Sequence, residues 1–177
     1  MRTPVKAVYK LTALRCVTLF LSAQIRVAAG VPSVWDSGQL RDAPLAPEAL
    51  RAVTDRTLFL SGRTVLRMDA ACLPVRLEAF SVTAWVRPES FDRYNEIFRI
   101  ESPEGRVLFS FQETGAVLAL GLDVSGVYRE CDATVQPDSV LDGCWHFVAA
   151  TFDGKAMRVY LDGAAIGQLP HAGAATV

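Results

Sequence analysis

Apolar and polar residues alternate with a period of two along most of the chain beyond Thr57. Over Trp145–Phe152, Trp145, Phe147 and Ala149 point one way and His146, Val148 and Ala150 the other. Met157, Val159 and Leu161 then alternate against Arg158, Tyr160 and Asp162. This is the period of a half-buried strand. Asp153-Gly154 and Asp162-Gly163 interrupt the pattern with residues that accept the positive φ of a tight turn. Gly143–Gly163 therefore reads as one β-hairpin, with a further strand starting over Ala164–Leu169. Upstream, Thr57–Ser61 and Thr64–Met68 flank a possible turn at Gly62-Arg63. Ala79–Arg87 carries Phe80, Val82, Ala84 and Val86 on one face, and Pro88 ends it because proline cannot donate to a ladder. Asn95–Glu101, Arg106–Gln112, Ala116–Asp123 and Val127–Val135 follow. Ser102–Gly105, Glu113–Gly115 and the turn within Gly121–Gly126 separate them. About ten short strands with hardly any helix predict an all-β, antiparallel sandwich.

Composition narrows the class without naming a chemistry. Of 177 residues, 51% are hydrophobic, enough for one packed core. The net charge is −1, with both signs scattered along the chain, so no basic face suits nucleic acid and no polybasic patch suits a membrane. Residues 1–30 resemble a secretory leader: Arg2, Lys6, Lys10 and Arg15, then the apolar run Cys16–Ala23, then small residues to Gly30. That run is short for a membrane span. An uncleaved anchor or a start codon placed ahead of the domain are the rival readings. Residues 31–56 are rich in Pro, Ala and Asp and read as a lead-in, with Pro47 able to open a short helix over Glu48–Thr54. Residues 57–177 form the strand-rich domain.

There are four cysteines, and Cys16 lies in the leader. The remaining three leave one thiol unpaired, bonded to another chain or lacking its partner. Cys131 and Cys144 flank a loop that a disulfide between them would close, which leaves Cys72 over. No CxxC spacing accompanies them, so zinc is not indicated.

Four blocks resemble the laminin-G-like jellyroll family of the concanavalin-A-like sandwiches. They are Thr57–Gly62 (TLFLSG), Phe80–Pro88 (FSVTAWVRP), Trp145–Gly154 (WHFVAATFDG) and Val159–Gly163 (VYLDG). Within that family the chain is similar to the N-terminal jellyroll of the pappalysins, which are secreted metalloproteases. The resemblance implies a jellyroll whose closing strands would follow the last turn, so a chain ending in the apolar tail Ala172–Val177 is expected to lack one or more of them. It also implies that loop oxygens can bind calcium. Asp92, Asn95 and Glu96 offer such oxygens in one loop, although Asn95 can equally cap a turn there. Phe91 and Tyr94 flank these residues, and each suits either a sugar face or the rim of the core.

No catalytic set assembles from the residues. The metalloprotease motif HExxH is absent, and the two histidines, His146 and His171, are far apart in sequence. Glycosidases on this sandwich place acids alternately on one strand. Glu130 and Asp132 supply that first pair, but no third acid stands at Val135. Gly121–Gly126 lacks the spacing of a nucleophile elbow. His146 reads as a polar residue on the sheet, and Lys155 and Arg158 as solubilising charges. The expectation is a secreted, non-catalytic module that binds an extracellular glycan or protein. The alternative is the N-terminal part of a pappalysin-like metalloprotease whose catalytic domain lies elsewhere, and a glycosidase acting through Glu130 is the third reading.

Overall fold

The computed structural model describes residues 76–177 and, before them, only the backbone of five short strands. These are β1 (Val17–Leu19), β2 (Ala23–Arg26), β3 (Pro32–Trp35), β4 (Arg51–Ala52) and β5 (Leu58–Leu60). β5 pairs with β1 and β4, and β2 pairs with β3. Arg51–Ala52 is thus extended and laddered to Leu58–Phe59, where a short helix was expected over Glu48–Thr54. The other expectations for residues 1–75, including the leader cleavage, the strand at Thr64–Met68 and the state of Cys16 and Cys72, lie outside the described residues.

From Arg76 onward the chain forms two antiparallel sheets. Ten strands follow: β6 (Arg76–Leu77), β7 (Phe80–Val86), β8 (Tyr94–Glu101), β9 (Arg106–Gln112), β10 (Val117–Val124), β11 (Val127–Thr134), β12 (His146–Phe152), β13 (Ala156–Leu161), β14 (Ala164–Pro170) and β15 (Ala175–Thr176). The larger sheet runs β6-β15-β10-β9-β8, with β11 on the other side of β10. The smaller runs β14-β13-β12-β7. The strands match the alternating segments to within a residue or two. The exceptions are the two-residue strands β6 and β15; Ala175 of β15 sits between Val124 of β10 and Leu77 of β6. A small-residue tail carries no alternation long enough to announce a strand, so only the pairing partners reveal it.

The core lies between the sheets. Phe80, Val82, Ala84 and Val86 enter it from β7, Val107, Phe109 and Phe111 from β9, and Leu118, Leu120, Leu122 and Val124 from β10. Val148, Ala150 and Phe152 enter from β12, and Met157 and Val159 from β13. The His146 face of β12 is therefore the inward one, and Trp145 and Phe147 face out. The hairpin turns follow their sequences. Ser125-Gly126 and Asp162-Gly163 both hold consecutive positive φ angles (52° and 79°, 50° and 84°), the twist that matches flanking right-handed strands.

The expected Cys131–Cys144 disulfide is not formed, and both thiols are free. Cys131 points inward from β11 into the core, where Gly167 of β14 lies against its sulfur. Cys144 sits in the exposed turn before β12, with its N–H donated to Asp142 Oδ1 at 2.7 Å. Alternation along β11 directs the Cys131 side chain into the sandwich while the turn holds Cys144 at the surface. Closeness along the chain does not bring them together.

Candidate functional site

The outer face of the larger sheet is built by its register. One row across it reads Glu96, Ser110, Ala119 and Asp132, and the next reads Arg99, Leu108, Gly121 and Glu130. A β-bulge at Ile97-Phe98 makes this possible. Both of those residues are buried, the register shifts there, and Arg99 returns to the outer face three residues after Glu96. A strict period of two would have turned Arg99 into the core. Instead its guanidinium bridges two carboxylates, Glu96 at 2.5 Å and Glu101 at 2.6 Å.

In the middle of this face β10 contributes only the small residues Ala119 and Gly121. Tyr128 lies across Gly121 so closely that a Cβ on the glycine would stand 2.0 Å from the phenol oxygen. The guanidinium of Arg106 stacks 4.1 Å from the Tyr128 ring. The Tyr128 hydroxyl donates to Glu130 Oε1 at 2.5 Å, and Gln112 Nε2 donates to Glu130 Oε2 at 3.4 Å. Burial, then the bond to Glu130, pushes the Tyr128 phenol well above its ordinary range, so it stays protonated as a donor. Burial, reinforced by the charge of Glu130, raises the Asp132 carboxyl as well. Of these side chains, Arg106, Gln112 and Glu130 line an open groove of about 660 Å³, together with Asp92, Arg93, Tyr94, Glu96 and Arg99.

The loop residues expected to bind calcium do not converge. Asn95 is fully buried, and its amide closes a local turn: Oδ1 accepts the Asp92 N–H at 2.9 Å and Nδ2 donates to the Asp92 carbonyl at 2.6 Å. Glu96 points to the opposite face and holds Arg99. Strand alternation separates the two, and the turn occupies the oxygens of Asn95 and of the Asp92 backbone. Among the described residues, no group of three or more His, Cys, Asp and Glu side chains can hold a metal ion. The two flanking aromatics divide. Phe91 packs on Phe111 at 4.9 Å between ring centroids. Tyr94 is 53% exposed at the groove, with Arg93 over its ring.

Sequence reasoning singled out Glu130, Asp132 and Tyr94, and the register places all three on the outer face of this sheet. Arg99, Arg106, Gln112 and Tyr128 were missed. Alternation along β9 and β11 carried a signal for Arg106, Gln112 and Tyr128. Arg99 had none, because bulges leave no mark in a period count. His146 lies at the other sheet, away from this groove.

Charged forks, an amide and aromatic rings around an open trough are the features of a surface that binds polar, ring-shaped or extended ligands. The two sheets form a jellyroll-like sandwich, the fold of lectin-like binding modules. The chain belongs to the concanavalin A-like lectin/glucanases superfamily, whose model matches residues 61–177. No curated protein matches the chain. Among the described residues, no helix is long and apolar enough to cross a membrane.

Proposed function

We propose that the chain is a secreted, non-catalytic module that binds a glycan in the groove over β8–β11. The observation that carries this reading is the Tyr128–Glu130–Arg106 cluster, whose Glu130 and Arg106 line the same groove as the exposed Tyr94 ring. It offers donors and acceptors fixed in place before any ligand arrives, and the half-exposed Tyr94 ring lies along the same groove. Sugar hydroxyls pair with planar charged groups of this kind, and sugar C–H faces stack on aromatic rings. Calorimetric titration with a panel of neutral and uronic-acid oligosaccharides tests it. At least one should bind, and Glu130→Gln and Arg106→Ala should each weaken it roughly tenfold, the effect of about one charged hydrogen bond. Absence of binding across the panel, or binding indifferent to both substitutions, overturns it.

One observation favours a second reading. Glu130 lines the groove, and its alternate neighbour Asp132 has a carboxyl held up by burial and by Glu130. Such pairs serve glycoside hydrolysis. Release of reducing ends from a β-glucan, lost in Glu130→Gln, would establish it in place of simple binding. The likeness to pappalysins would place the same module at the start of a longer metalloprotease. A transcript that continues past Val177 into an HExxH segment would support that arrangement.

A further inference from the structure

At the far end of the smaller sheet, His146 opens β12 with both ring nitrogens facing carboxylates. Nδ1 lies 2.8 Å from Asp162 Oδ2, and Nε2 lies 3.1 Å from Asp142 Oδ1. The ring is buried, with the residue 7% exposed. Asp162 sits in the β13–β14 turn with φ of 50°, and its other oxygen accepts the Phe147 N–H at 2.8 Å. Its own N–H returns to the Phe147 carbonyl at 2.7 Å. Asp142 belongs to the loop before β12 and also accepts the Cys144 N–H. His146 thus joins two segments, the 142–145 loop and the β13–β14 turn, that no backbone ladder joins directly.

Only an imidazolium satisfies both contacts. A neutral imidazole has one N–H and one lone pair, whereas an ionised carboxylate only accepts. In the neutral form, one of the two half-exposed carboxylates therefore faces a lone pair of the buried ring, and its contact with His146 is lost. We propose that His146, held between Asp142 and Asp162, is a pH-sensitive latch that fastens the 142–145 loop in its charged form and releases it on deprotonation. The groups facing the ring come from each neighbouring element. They are Asp162 from the β13–β14 turn and Asp142 from the preceding loop, with Cys144 bonded to Asp142. On β7, Val86 stands opposite His146, and the next residue, Arg87, lies 5.6 Å over the Trp145 ring.

The direction of the switch follows from the balance on the ring. Burial alone lowers the His146 pKa, but the hydrogen bonds to Asp162 and Asp142 outweigh it, and the net shift is upward. The bond from the Cys144 N–H, then the one with His146, lowers Asp142, which stays ionised. A histidine raised on folding stabilises the closed form fully below its ordinary value near 6.5. That contribution fades as pH rises through the raised value. The loop is closed in mild acid and loosens toward alkaline pH, carrying Trp145 and the Cys144 thiol with it.

NMR of the full chain tests this, because the protein has only two histidines. His171, whose Nε2 meets the Val127 carbonyl, serves as the reference resonance. From about pH 5 to about pH 9, His146 should titrate above the ordinary histidine value. Amide protection factors at Cys144 and Phe147, corrected for intrinsic exchange, should fall roughly threefold or more with the same midpoint. Asp142→Asn should lower the His146 pKa and flatten the step in protection. A wild-type His146 that titrates at or below its ordinary value overturns the latch. So does protection at these amides that ignores its titration. The wild-type titration decides the matter even if the variant fails to fold.

Discussion

The two outer faces of the sandwich share a core and differ in nearly everything else. Over β8–β11 the outward residues include Glu96, Arg99, Arg106, Glu130 and Asp132, β8 is bulged, and an open groove runs along the face. Over β7 and β12 the outward residues include Trp85 and Phe147, paired across the ladder with centroids 5.3 Å apart. Trp85 is 43% exposed, and Arg87 covers Trp145. The inward residues of both sheets obey one rule, because both must fill the same apolar space. The outward residues answer to no common constraint, so each face carries its own chemistry: fixed hydrogen-bonding groups on one and aromatic cross-strand packing on the other.

The sharpest way to break this contrast is Gly121→Val. The added side chain displaces Tyr128 and with it the stack on Arg106 and the bond to Glu130. Loss of about 2–4 kcal/mol in a urea melt is expected, from one cation–π contact and one charged hydrogen bond. Glycan binding should fall with it, while the His146 titration stays where it was. A variant that keeps full affinity would show that Tyr128 does not shape the groove.

Trp85→Ala acts on the opposite face and should cost less, about 0.5–1 kcal/mol, because the ring is half exposed and loses chiefly its partner Phe147. Affinity in the groove should be unchanged, and a shared loss of affinity would mean that the two faces are coupled through the core. The smallest effect is expected at Asp153→Asn. This carboxylate bonds Arg158 at 2.7 Å and caps the N–H groups of Lys155 and Ala156. Those contacts, led by Arg158, hold it well below its ordinary value of 3.8. A depressed folded pKa gives stability above 3.8 that is lost as pH falls further. The variant should therefore match the wild type in acid and fall only slightly behind at neutral pH, as thermal melts at both pH values would show. A gap that is widest in acid would contradict the assignment.

Much of this protein was legible before its structure. Strand positions, the turns at Ser125-Gly126 and Asp162-Gly163, and the grouping of Phe80, Val82, Ala84 and Val86 on one face of β7 follow from alternation and from glycine's tolerance of positive φ. Glu130 and Asp132 emerged as a pair on one face by the same count. Asn95 as a turn cap was one of two readings, and tertiary context chose it over calcium ligation by burying the side chain.

Periodicity defines two faces on a strand and cannot say which one the other sheet covers. On β12 one face offers Trp145 and Phe147 and the other His146, Val148 and Ala150. Only the opposing layer turned the histidine inward and left the larger aromatics at the surface. The bulge that brings Arg99 beside Glu96, the pairing of Ala175 between β6 and β10, and the separation of Cys131 from Cys144 have the same origin. Each depends on a partner distant in sequence, while local alternation reports only on the strand that carries it.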